Sequence, residues 1–181
     1  MKKFIALTLL TCAVSLSAWA DRTVKANDSA ISYTGRVLKT DDGKVRYDWV
    51  GTYFQTDFTG GKIAVKVSES GESFHNVFID GKFKSRIQIK GTEPYEIVLA
   101  DKLSKGTHRL CLQKSTEGEY GSTTIHSITV ATNGTLKPVP ARKRMIEFIG
   151  DSYSCGYGVY GANENEHFKL STEDVNKAYD C

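Results

Sequence analysis

Gly150-Asp151-Ser152 are the residues whose types and order could do chemistry. They close an apolar run, "MIEFIG", and open a glycine-rich loop, "DSYSCGYGVYG". A hydroxyl at the carboxyl end of a buried strand stands where open α/β sheets present their reacting groups. Gly150 permits a sharp turn, and the backbone N–H of Ser152 can face an oxyanion developing on a carbonyl. Serine alone is a weak nucleophile and needs a base within hydrogen-bond reach. His167, in "ENEH", follows Ser152 closely but reads as a surface loop residue. Glu164, Glu166 and His167 form a loose oxygen-rich group that reads as solvated rather than metal-binding. No metal or cofactor is expected. His75, His108 and His126 fall in strand-like runs and read as structural.

The elements that must position this serine differ on its two sides. Before it, "MIEFIG" is a short continuous apolar run, which predicts a strand buried on both faces as in a parallel sheet. After the loop, "STEDVNKAYD" predicts a helix starting at Ser171, with Glu173 and Asp174 at the positive end of its dipole. Upstream, from Ile31 to Thr132, the pattern is β throughout, in eight or nine short runs punctuated by turn residues. Asp80-Gly81 predicts a tight hairpin because both residues tolerate positive φ; Asp42-Gly43 and Asn133-Gly134 predict further turns. Alternation puts Ile63, Val65 and Val67 on a buried face opposite Lys62, Lys66 and Ser68. It puts Leu110 and Leu112 on one face with His108, and Ile128 and Val130 on one face with His126. Many short strands with few helix signals predict an antiparallel, jelly-roll-like sandwich.

Trp49, Tyr53 and Phe54 supply rings for either a core or a sugar-stacking surface. Core packing is the expectation for Trp49 and for one of the neighbours Tyr53 and Phe54, which must face opposite ways on a strand. Pro138 and Pro140 with Arg142-Lys143-Arg144 read as an extended, solvated connector.

The chain opens with "MKKFIALTLLTCAVSLSAWA", a basic start, an apolar core and a small-x-small end. That is a secretory leader, with cleavage expected after Ala20. Removing Lys2 and Lys3 with it takes the formal charge from +3 to +1. Near-neutral charge gives no reason to expect nucleic acid or anionic membrane as partner. Cleavage leaves three cysteines. Cys111 lies within a strand-like run and reads as a small core residue; Cys155 and Cys181 flank the last segment and could bridge.

"IEFIGDSYSCGYG" resembles the first block of the SGNH, or GDS-type, hydrolases. With "YFQTDFTGGKIAVKV" and "FHNVFIDGK" before it and "STEDVNKAYDC" after it, the layout from Ile31 onward resembles carbohydrate esterase family 2. The resemblance implies a leader (1–20), an N-terminal jelly roll (21–137), a linker (138–144) and the incomplete start of a flavodoxin-like α/β hydrolase domain (145–181). It implies removal of acetyl groups from plant polysaccharides or oligosaccharides by a protein exported to the periplasm or beyond. Ser152 would be nucleophile and one oxyanion donor, Asp151 a brace of the turn, and Gly150, Gly156 and Gly158 its support. The family's catalytic histidine, usually in Asp-x-x-His, and its glycine and asparagine oxyanion donors lie on later blocks that this sequence does not contain. The expected parent activity is therefore ester hydrolysis, with the present chain inactive alone. Two other readings stay open: a tail that docks on the sandwich without catalysis, and a non-catalytic sugar-binding module.

Overall fold

The computed structural model describes residues 20–179. The leader before Ala20 lies outside the described residues. So does Cys181, and with it any bridge to Cys155.

Twelve strands follow one another: β1 (Arg22–Lys25), β2 (Ser32–Thr34), β3 (Leu38–Lys39), β4 (Val45–Tyr47), β5 (Tyr53–Phe58), β6 (Ile63–Glu69), β7 (Glu72–Ile79), β8 (Lys82–Lys90), β9 (Tyr95–Ala100), β10 (His108–Lys114), β11 (Thr123–Val130) and β12 (Leu136–Lys137). They form two six-stranded antiparallel sheets. One runs β3-β4-β11-β6-β9 with β1 added beside β11; the other runs β12-β5-β10-β7-β8 with β2 added beside β5. The strands beyond the expected eight or nine are short edge pieces. One of them, β12, lies just before the expected connector: Leu136 pairs with Phe58 and is buried.

Alternation drives the sandwich together. Phe54, Phe58, Leu110, Leu112 and Val77 from one sheet meet Val45, Ile63, Val65, Val67, Ile125, Ile128 and Val130 from the other. Each large apolar side chain so buried contributes about 1.5–3 kcal/mol relative to exposure. Tyr53 and Phe54 divide as the pleat requires: Phe54 is fully buried and Tyr53 only half-buried. The β7–β8 hairpin turns through Asp80 and Gly81 at φ 54° and 76°.

Three local readings change. The parity expected for β11 fails because a bulge lies between Ile125 and Ser127. One extra residue there lets Ile125, Ile128 and Val130 all enter the core. His126 is turned to the outer face, where its Nε2 lies 2.9 Å from Ser68 Oγ. Cys111 sits between the core residues Leu110 and Leu112, so it faces outward and is half-buried rather than core. Trp49 lies outside any strand and is 52% exposed, with the Arg36 guanidinium 4.7 Å over its ring.

Beyond Lys137 no described residue joins a sheet. Residues 141–150 are exposed and irregular, and Met145, Ile146, Phe148 and Ile149 all face outward. The expected "MIEFIG" strand is absent because a strand exists through lateral hydrogen bonds, and no described strand lies beside this one. The expected helix from Ser171 is replaced by two single 3₁₀ turns, Leu170–Thr172 and Val175–Lys177. Tertiary bonds have taken the groups a helix would use. The Glu173 carbonyl accepts from Arg86, Asp174 N donates to Gly156 O at 3.1 Å, and Val175 N donates to Ser115 O at 3.2 Å. Asp174, rather than Ser171, caps the second turn by accepting from Asn176 N at 3.1 Å.

Candidate functional site

Ser152 lies on the first of a series of turns that run from Asp151 to Tyr160. Asp151 Oδ1 accepts the N–H of Tyr153 at 3.0 Å, and its carbonyl accepts from Ser154 at 3.0 Å and Cys155 at 3.3 Å. The Ser152 carbonyl accepts from Tyr157 N at 2.9 Å and faces Cys155 Sγ at 3.2 Å. The side chain of Ser152 is exposed. Among the described residues, no histidine or other base hydrogen-bonds its hydroxyl. Gly150 is exposed beside it. Gly156 holds φ +72°, and a Cβ there would stand 2.3 Å from the Asp174 carbonyl, so only glycine fits. Gly158 also has positive φ, with open space around it. His167 is exposed. Glu166 is occupied by its own loop, accepting from Ala162 N at 2.6 Å and Lys169 Nζ at 2.5 Å.

The segment after Ser152 is fastened to the outer face of β7 and β8 and to the loop after β10 by polar side chains. Asn76, buried on β7, donates through Nδ2 to Asp174 Oδ1 at 2.7 Å. Tyr160 donates its hydroxyl to Asp174 Oδ2 at 2.9 Å. Arg86, on β8, donates to the Ser171 carbonyl at 2.7 Å and to that of Glu173, and lies 4.5 Å over the Phe74 ring. The Glu117 backbone N–H donates to Glu173 Oε1 at 2.7 Å. Aromatic stacking adds a second layer: Tyr157 lies on Phe168 with centroids 3.6 Å apart, and Tyr120 stands 5.8 Å from Phe168 on the sandwich side.

Beneath this seam the sandwich interior turns polar. Lys114 and Glu69 are both fully enclosed, with Lys114 Nζ 4.0 Å from Glu69 Oε2. Glu69 Oε2 accepts from Ser73 and Thr123 hydroxyls, each at 2.6 Å. His75 stands beside Tyr47, whose hydroxyl is 3.3 Å from its Nε2. Burial, then Lys114, hold the His75 imidazole well below its usual range, so it is neutral. Burial also lowers Lys114, against the pull of Glu69, Asp48 and Glu173. Above it, burial raises the Glu173 carboxyl to about 7. Burial, with Glu173 and Glu117 adding to it, pushes the Cys155 thiol up to about 12.

Sequence reasoning located the Ser152 turn but not its fastening. Glu173 and Asp174 read as acids of a helix start, and Asn76, Arg86, Glu117 and Lys114 were not singled out. Their partners lie 56 residues apart for Glu117 and Glu173 and 98 apart for Asn76 and Asp174.

Residues 33–140 match the family described as carbohydrate esterase 2 N-terminal. Over 158 residues the chain is 27% identical to the cellulase/esterase CelE of Acetivibrio thermocellus, covering 87% of this chain and 19% of that protein. It is 36% identical over 114 residues to the acetylxylan esterase / glucomannan deacetylase of Cellvibrio japonicus, covering 62% of this chain and 30% of that one. Among solved structures, a family two carbohydrate esterase from Clostridium thermocellum in complex with cellohexaose superposes with a TM-score of 0.75 at 29% identity, over 80% of this chain and 44% of that one. A family two carbohydrate esterase from Cellvibrio japonicus superposes at 0.78 over 88% and 48%, at 23% identity, a likeness of fold alone. The sandwich is thus the N-terminal domain of a family of carbohydrate esterases. The chain belongs to carbohydrate esterase family 2, and it spans about half the length of these solved structures and under a third of the curated relatives.

Proposed function

We propose that the chain is part of an exported esterase that removes acetyl groups from plant polysaccharides or oligosaccharides, with Ser152 as the nucleophile. Residues 21–137 are then the sandwich domain, 138–144 a linker, and 145–181 the beginning of an α/β hydrolase domain. One observation carries this reading: an exposed Gly150-Asp151-Ser152 turn follows directly on a sandwich that matches the family's N-terminal domain. In the reaction, the Ser152 hydroxyl attacks the acetyl carbonyl and its backbone N–H receives the oxyanion. Asp151 and the glycines at 150, 156 and 158 hold the turn. A serine without its base and a full set of oxyanion donors loses orders of magnitude in rate. No base stands at Ser152 among the described residues, so the 181-residue chain alone should hydrolyse acetyl esters only at background rate. The test is acetate release from acetylated xylan by purified protein and by Ser152→Ala. Background rates for both are expected. Turnover that disappears in Ser152→Ala would keep the nucleophile but overturn the inactivity; turnover that survives it would overturn Ser152.

A second reading rests on Trp49, whose ring is exposed beside Arg36. Exposed aromatic faces stack on sugars, so the sandwich would retain glycans without catalysis. Affinity electrophoresis in xylan or glucomannan gels decides it: retardation lost in Trp49→Ala supports this reading, and unchanged mobility on both glycans ends it.

A further inference from the structure

The seam between tail and sandwich holds three metal-ligating side chains that the esterase reading does not use. Glu117 leaves the loop after β10, Cys155 lies three residues past Ser152, and Glu173 separates the two 3₁₀ turns. One ligand atom from each, two carboxylate oxygens and the sulfur, lies within 4.8 Å of the others. Cys155 is a free thiol and only 2% exposed. Glu173 is 0% exposed. Its Oε1 is taken by the Glu117 N–H, while its Oε2 has no hydrogen-bond partner. A buried carboxylate oxygen without a partner is costly and calls for one. The neighbouring cation does not answer it: Lys114 Nζ makes no hydrogen bond and no ion pair within 4.0 Å except to Glu69. Two carboxylates and a sulfur therefore converge on a buried carboxylate oxygen that lacks a hydrogen-bond partner, with the Cys155 thiol beside it and Lys114 acting only at longer range.

We propose that Glu117, Cys155 and Glu173 bind one divalent cation of the zinc class. The donor set decides the class. A thiolate with carboxylates suits zinc, while calcium and magnesium take oxygen alone. Three protein ligands leave a fourth position open on a four-coordinate ion. The ligand atoms lie within 4.8 Å of one another, wider than a bound tetrahedron needs, so binding would draw them together. Binding converts the Cys155 S–H to thiolate and releases its proton to solvent; no oxidant is involved. The ion would join the turn carrying Ser152, the segment between the two 3₁₀ turns and the loop after β10 through one ligand each. This inference stands on the seam alone and does not depend on Ser152 being a nucleophile.

The experiment uses the whole chain, stripped with a chelator and titrated with cobalt(II) and with zinc. One equivalent of cobalt should raise a near-ultraviolet thiolate-to-metal band, and one equivalent of zinc should abolish it and slow labelling of Cys155 by a thiol reagent at least tenfold. Cys155→Ser should lose the band, Glu173→Gln should weaken zinc binding at least tenfold, and Cys111→Ser should change neither. Near-ultraviolet circular dichroism identifies any variant that fails to fold; should Cys155→Ser do so, zinc protection of the thiol in the unaltered chain carries the decision. No band, a band that survives in Cys155→Ser, zinc binding unchanged in Glu173→Gln, or calcium competing as well as zinc overturns the proposal.

Discussion

The sandwich and the segment after Lys137 follow opposite rules. In the sandwich, local pattern and tertiary position agree: alternating apolar residues make strands, each strand has lateral partners, and the two inner faces close on each other. In the later segment they disagree. The most apolar run, Met145 to Ile149, lies exposed and irregular, while Glu173 and Asp174 are buried. The comparison teaches that hydrophobicity decides burial only where the backbone can also be satisfied. A run without a neighbouring strand stays out, and a polar run goes in when the surface beneath offers matching donors. Asn76, Arg86 and the Glu117 N–H are those donors.

This contrast can be broken at either end. The largest effect is expected inside the sandwich. Phe54→Ala removes a fully buried ring facing both sheets and should cost roughly 3–5 kcal/mol in denaturant unfolding, tail and sandwich lost together. A smaller loss would mean that the core collapses around the gap. Next comes the seam. Asp174→Ala strips the partner from Tyr160 Oη and the shorter of two from the buried Asn76 Nδ2, which keeps only a 3.5 Å bond to Gln113. That should cost about 1–3 kcal/mol, confined to the tail. Limited proteolysis within residues 151–179 should accelerate while the sandwich melts unchanged. A cooperative loss of both would show that the two regions are a single unit.

The smallest effect is electrostatic and belongs to the sandwich surface. His108 Nδ1 lies 2.8 Å from Asp80 Oδ2 at the β7–β8 turn. The hydrogen bond to Asp80, then that to the Ser104 carbonyl, raises His108, and the His108 hydrogen bond, followed by the Arg109 N–H, lowers Asp80. A raised histidine contributes fully below its unfolded value near 6.5 and ceases to contribute as pH rises through its folded value. A lowered aspartate contributes above its unfolded value near 3.9 and is lost as pH falls through its folded value. The pair therefore stabilises most between about pH 4 and 6.5. Exposure limits it to about 0.2–1 kcal/mol. Melting curves against pH should show this gain in the parent protein and not in Asp80→Asn, which keeps a residue type tolerant of positive φ. The tail's proteolysis should not follow the same titration.

Most of the sandwich was legible because period-two alternation and turn residues are local properties. Asp80-Gly81 named its own hairpin, and Tyr53 with Phe54 divided as neighbours on a strand must. The β11 bulge was not legible, since an extra residue shows only against its partner strand; His126 moved to the other face for that reason. Trp49 was misplaced because a large ring carries no record of whether a loop will lift it clear of the core. At the candidate site, residue types alone pointed to a serine on a sharp glycine turn, and the braces around it came only from the resemblance to a known family. The helix expected after it could not survive, because Arg86, Gly156 and Ser115 claim the backbone groups that would have closed it.

What the sequence determined by itself is the β character of residues 31–132, their hairpins and the presence of a serine on a glycine-rich turn. These follow from steric limits on φ and ψ and from the alternation of side chains along an extended backbone, both of which act between neighbours. What only the tertiary structure decided is that Glu117, Cys155 and Glu173 meet, that Asp174 is held by Asn76, and that the run before Gly150 stays uncovered. Those outcomes depend on donors and acceptors brought together from distant parts of the chain, and a buried polar group takes whichever partner the completed fold puts within reach.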